Sequence, residues 1–195
     1  MSKRLLNTIL VLTISYLTIQ CQKKETIDPN YTTTPYDINL PSNFPPLEVP
    51  EDNQLTQEGV LLGRHLFWEK KLSGDNTMSC ADCHSPQYTF SEPYPFSVGI
   101  NGDTSKRNAM VLQNLGWSND FFWDGRISSL EHQVLIPVMD STEMDESWSN
   151  FFSEIKYDNL YRELFYKAFG TMEPDSMHAA KALAQFLRTM ISSNS

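Results

Sequence analysis

The sequence predicts an all-α domain with long loops, because apolar residues recur at helical spacing in several stretches while alternating strand patterns are nearly absent. A third observation points the same way: the Cys80-Ala81-Asp82-Cys83-His84 motif is followed by Pro86, Pro93, Pro95, Gly99 and Gly102, a run in which no helix persists. The 195 residues suffice for one domain of moderate size plus a leader and an arm. With 15 basic and 24 acidic residues the net charge is −9, which excludes nucleic acid as a partner class and favours a basic protein partner.

Taken in order, Lys3 and Arg4 precede the apolar segment Leu5 to Ile19, so residues 1–21 read as a secretory leader. The segment is too short and too polar for a membrane span. Cys21, ahead of the charged Gln22-Lys23-Lys24-Glu25, resembles a bacterial lipoprotein junction and thus a lipid anchor. Gln20 stands where a small residue is usual, so simple cleavage with an unused Cys21 is the competing reading. Residues 22–46 are rich in Thr, Pro and Asn and lack periodicity, which predicts a disordered tether.

The folded domain is placed at residues 47–195. Its first helix is expected from Gln54 to Trp68, carried by Leu55, Val60, Leu61, Leu62, Leu66 and Phe67 and ended by Ser73-Gly74-Asp75. A helix starting near Ser128 follows from a Ser128-x-x-Glu131 capping box. Further helices are expected at Trp148 to Ile155, Asn159 to Phe169 and Asp175 to Ile191, the last with Ala180, Leu183, Ala184 and Leu187 on one face.

The Cys80–His84 motif carries the chemistry. On a helix Cys80, Cys83 and His84 fall at i, i+3 and i+4 and share a face, so two thiols can bond one porphyrin while the adjacent imidazole ligates its iron. This is the attachment pattern of haem c. A zinc site would need histidines alone to complete it, since the other cysteine, Cys21, belongs to the leader. A thioredoxin-like redox pair would follow a strand, whereas the polar Ser73-Gly74-Asp75-Asn76 leads in here. Haem attachment also suits an exported, periplasmic protein.

The order of Leu62-Gly63-Arg64-His65-Leu66-Phe67, Leu72-Ser73-Gly74-Asp75, Ser79 to His84, Arg107-Asn108-Ala109, Phe122-Trp123-Asp124-Gly125-Arg126 and Pro137-Val138-Met139, with Glu143-Met144 beyond, resembles the bacterial di-haem cytochrome c peroxidase and MauG-like family. The resemblance implies a periplasmic enzyme that reduces hydrogen peroxide at the haem of an amino-terminal domain, with a second haem domain beyond it. One CxxCH is present, so the expectation is the peroxidatic half alone, with a cytochrome c-like fold, one covalent haem, and electrons from an external c-type cytochrome, a separate second haem domain or a homodimer partner. A mono-haem electron carrier and an inactive truncated remnant are the alternatives.

The resemblance also assigns roles. Where the family carries a resting-state histidine ligand, this chain has Ile100, which cannot ligate. Met78 and Met110 are then the other side chains able to reach the iron, although methionine is usually core filler. Glu131 resembles the distal acid–base group; its competing reading is the helix cap. The position matched to a distal glutamine is Phe121. Arg126 either pairs with a haem propionate or fixes the Asp124 turn. Asn108 matches a calcium position. Trp117 and Trp123 read as packing or as electron relays, and His65, His132 and His178 as ordinary helical histidines.

Overall fold

The computed structural model describes residues 30–193, so the leader and Cys21 lie outside the described residues. Two long antiparallel-capable elements form its centre: α1, Gln57–Phe67, and the carboxy-terminal α7, Ser176–Arg188, which pack along their length. Between them in sequence come α2 (Cys80–Cys83), α3 (Leu130–Gln133), α4 (Ile136–Met139), α5 (Trp148–Ile155) and α6 (Asn159–Phe169). Among the described residues there is no strand, only isolated antiparallel bridges such as Ser85 with Ser91 and Val98 with Thr104. The all-α expectation holds.

Small residues let α1 and α7 approach. Leu62, Leu66 and Phe67 on α1 meet Ala179, Ala182, Leu183 and Leu187 on α7, all buried. A side chain at Gly63 would strike the Ala182 carbonyl and the Phe186 Cβ, so the helix crossing itself requires glycine there. Caps fix the ends: Thr56 Oγ1 accepts from Gly59 N at 3.0 Å, Asp175 accepts from the amides of Met177 and His178, and left-handed Gly170 (φ 69°) closes α6. Thus α1 starts at Gln57 rather than Gln54, and α7 starts at Ser176 because Asp175 is its cap. It ends at Arg188 because the Met190 carbonyl turns away to accept from Asn114 N at 2.8 Å. The capping box foreseen at Ser128 is absent: Ser129 is the cap of α3 and accepts from His132 N.

The tether expectation requires correction from residue 30 onward. Thr34 O accepts from Gln57 N at 2.8 Å, Tyr36 N donates to Leu55 O at 3.0 Å, and Tyr31 Oη donates to Ala168 O. Phe44 packs edge-on against Trp117, whose Nε1 donates to Pro45 O at 3.2 Å. The segment lacks periodicity because it is an extended strap, held by a few aromatic anchors and by the free amides at the start of α1. Trp117 thereby has a packing role.

Candidate haem site

Cys80, Cys83 and His84 are presented by one turn of helix. Its start is fixed by a capping box that the sequence displays as Ser79-x-x-Asp82: the Asp82 carboxylate accepts from Ser79 N at 2.8 Å and from Ser79 Oγ at 2.6 Å. His84 N donates to Cys80 O at 2.9 Å, which continues the turn and keeps the imidazole on the cysteine side. Burial pushes the Cys80 thiol up to about 12 and the Cys83 thiol up to about 11, with the carboxylates of Asp82 and Glu143 adding to both and that of Glu92 to Cys83. Both cysteines are free thiols held neutral, the opposite of the depressed thiolate that a CxxC redox catalyst needs.

His84 Nδ1 lies 3.1 Å from Phe90 O, and burial lowers the imidazole's basicity while the backbone carbonyls of Phe90 and Met110 oppose that. With Nδ1–H donating to a carbonyl, the ring is the neutral tautomer whose Nε2 lone pair is available to a metal. Two neutral thiols and an oriented, neutral imidazole on one turn fit the donor set of haem c. Among the described residues no group of three His, Cys, Asp or Glu side chains could hold a metal ion, so the motif is not a closed zinc site.

The surrounding loops converge on this turn. Ser91 Oγ donates to Ala109 O at 2.6 Å and Trp123 Nε1 to Asn108 O at 2.9 Å, which ties three loops together. Asn108 uses its amide within that junction: Nδ2 donates to the carbonyls of Glu92 and Tyr94, and Oδ1 accepts from Ser91. Arg126 pairs with Asp124 at 2.9 Å and stacks over Phe122 at 3.6 Å. Ile100 sits on a hairpin pinned to the 140–145 segment, with Ile100 N donating to Glu143 O at 2.9 Å. Gly99 allows that approach, since a Cβ there would strike the carbonyls of Thr142 and Glu143.

The two carboxylates of interest occupy opposite environments. Glu131 is buried and meets Arg188 of α7 and Asn53. Arg188 grips it through both oxygens at 2.6 and 3.3 Å, Asn53 Nδ2 donates to it at 2.7 Å and Ser129 Oγ at 3.1 Å. Burial alone would raise its carboxyl, yet the Arg188 and Asn53 hydrogen bonds and the Arg188 charge hold it at about 2. A carboxylate so held has no proton to give. Glu143, half-buried, is raised by burial and by the Asp140 charge, with Arg126 opposing, and its charge reaches both thiols. Gln133 Oε1 is the buried side-chain oxygen left without a hydrogen-bond partner among the described residues. Sequence reasoning gave Glu143 no chemistry, although the Glu143-Met144 pair stands in the motif order.

Residues 57–195 match the family model described as di-haem cytochrome c peroxidase. The chain belongs to the di-haem cytochrome c peroxidase family. Membership implies haem c, in agreement with the donor set. The chain is 38% identical over 144 residues to the methylamine utilization protein MauG of Methylorubrum extorquens, covering 73% of this chain and 41% of MauG. It is 32% identical over 149 residues to the cytochrome-c peroxidase IdrP1 of Pseudomonas sp. (strain SCT), covering 76% and 39%. The crystal structure of a MauG-like protein associated with microbial copper homeostasis superposes with a TM-score of 0.75 at 32% identity, over 80% of this chain and 47% of that one. The chain therefore spans under half the length of the relatives it matches.

Proposed function

We propose that this chain is the peroxide-reducing half of a di-haem cytochrome c peroxidase, carrying one haem on Cys80 and Cys83 with His84 as its axial ligand. A haem held by Cys80, Cys83 and His84 would supply the iron at which hydrogen peroxide is reduced. The observation that carries the reading is Glu143: its backbone carbonyl accepts from the amide of the non-ligating Ile100 at 2.9 Å, its carboxyl has raised proton affinity, and its charge is felt by both cysteine thiols. Its task is to take the proton from the inner peroxide oxygen and return it to the outer one, which needs a carboxyl that exists in both forms near working pH. Glu131, which the sequence suggested for this task, is paired with Arg188 of α7 and with Asn53.

Electrons come from an external c-type cytochrome or a second haem domain, and the acidic chain suits a basic donor. The leader supports export to the periplasm, with a lipid anchor at Cys21 where that residue is acylated. No helix among the described residues is long and apolar enough to cross a membrane. Asn108 is the candidate calcium ligand of this reading, through an Oδ1 that accepts from Ser91 Oγ at 3.3 Å.

The test is stopped-flow mixing of ferric haem-loaded protein with hydrogen peroxide. Glu143→Gln should slow the reaction by about 10²-fold or more, whereas Glu131→Gln, where it folds, should stay within a few-fold of wild type. A low-spin resting spectrum inert to peroxide and cyanide would turn the assignment to an electron carrier.

A further inference from the structure

The seven residues Ser85–Ser91, just beyond α2, form a closed loop with unusual backbone geometry. Ser85 and Ser91 bridge each other: Ser85 N donates to Ser91 O at 3.0 Å, and Phe90 N returns to Ser85 O at 2.9 Å. Within it, Thr89 and Phe90 both have left-handed φ angles, 64° and 55°. One such residue is uncommon when it is not glycine, and for a β-branched or bulky side chain it is an outlier that persists only where its surroundings over-determine it. Two in succession turn the Phe90 carbonyl back across the loop, where it meets His84 Nδ1 at 3.1 Å.

The surroundings that hold this turn are visible. Thr89 N donates to Pro86 O and Ser91 N to Tyr88 O. The Phe90 ring packs edge-on to Phe67 at 6.3 Å between centroids, on the buried face of α1. Ser91, itself buried, reaches the next loop through Oγ to Ala109 O. The loop is thus clamped at Phe90 and Ser91, with the strained pair between the clamp and the imidazole.

We infer that the Thr89–Phe90 left-handed turn, anchored by Ser91, is a positioning device for His84 that sets the strength of its Nδ1–H hydrogen bond and through it the redox potential of the haem. A firm bond from Nδ1–H makes the imidazole a stronger donor to iron, which favours the oxidised metal and lowers the potential. Thr89, Phe90 and Ser91 are positioning residues: none of them touches the reacting atoms. The inference rests on the haem-attachment reading of Cys80, Cys83 and His84.

The experiment uses full-length haem-loaded protein, with haem staining on denaturing gels, potentiometric titration, and the iron–histidine stretching band of the ferrous form by resonance Raman. Ser91→Ala removes the anchor and Phe90→Pro forbids the positive φ. Each should keep covalent haem, shift the midpoint potential upward and move the stretching band to lower frequency. Thr89→Gly adopts the same backbone geometry without strain, so both readouts should stay at wild type while thermal stability rises. If Ser91→Ala retains covalent haem with potential and band unmoved, the inference is overturned even should Phe90→Pro fail to fold. A Thr89→Gly shift as large as that of Ser91→Ala would also overturn it, by placing control in the threonine side chain. Wild-type protein without covalent haem would remove the attachment reading instead.

Discussion

Replacing Arg188 with alanine should be among the most destabilising single changes available in this chain. Arg188 and Glu131 keep only 7% and 10% of their side-chain surface exposed and meet through two hydrogen bonds. Removing the guanidinium leaves a carboxylate whose remaining donors are Asn53 Nδ2 and Ser129 Oγ. Breaking a buried pair from one side costs about 3–5 kcal/mol, a large share of the ~5–15 kcal/mol typical of a domain. The acid limb gives an independent estimate. The Glu131 carboxyl falls from an ordinary 4.5 to about 2 on folding. A group lowered in this way contributes stability that is fully present above pH 4.5 and is lost as the pH falls toward 2; the shift corresponds to about 3 kcal/mol. Urea unfolding of haem-loaded wild type, Arg188→Ala and Glu131→Gln at neutral pH and at pH 3 measures both. Arg188→Ala should lose about 3 kcal/mol or more at neutral pH, and wild type should lose more stability on acidification than Glu131→Gln does. A loss below ~1 kcal/mol for Arg188→Ala, with parallel acid profiles for wild type and Glu131→Gln, would refute the reasoning.

Replacing Cys80 and Cys83 together with alanine should give colourless protein on a haem-stained denaturing gel, since both thioethers come from this pair. Deleting residues 22–46 should lower the urea midpoint and expose Trp117 to quenchers, because the strap contributes the Phe44 contact and the bonds to Gln57 and Ala168. In the intact protein Tyr31 to Pro45 should resist limited proteolysis. Gly63→Ala should destabilise by about 1–3 kcal/mol or more in the same urea assay, because its methyl collides with backbone at Ala182 and cannot be accommodated by a rotamer change.

The helices were legible because their determinants are local. Apolar spacing marked α1, α5, α6 and α7 to within a turn; local caps at Thr56 and Asp175 moved the starts of α1 and α7, and the remote Asn114 N to Met190 O bond lies beyond the end of α7. The strap at residues 30–46 was not legible, because a segment laid in extended form onto a finished surface needs only occasional anchors. Tyr31, Phe44 and the Thr34 carbonyl suffice, and neither period nor composition announces them. The Cys80–His84 turn was legible down to its geometry, since spacing alone places the three donors on one face. What held His84 was not, because the left-handed pair at Thr89 and Phe90 carries no glycine to advertise it.

The surroundings of Glu131 show what sequence order leaves unsaid. Glu131 follows the Trp123-Asp124-Gly125-Arg126 turn closely and begins a helix, so it looked like a group delivered to a pocket by a rigid element. Its fate was decided by Arg188, 57 residues later at the end of α7, and by Asn53 at the start of the domain. Neither has any visible relation to it in sequence. Glu143 lies in an irregular stretch. Gly74 N donates to Met144 O and Ile100 N to Glu143 O, so two loops from the haem side hold it where burial raises its carboxyl. A carboxylate saturated with donors is a structural tie, and one held near the cysteine pair with raised proton affinity is the group suited to moving a proton. The distinction is one of partners, and in this fold the partners come from opposite ends of the chain.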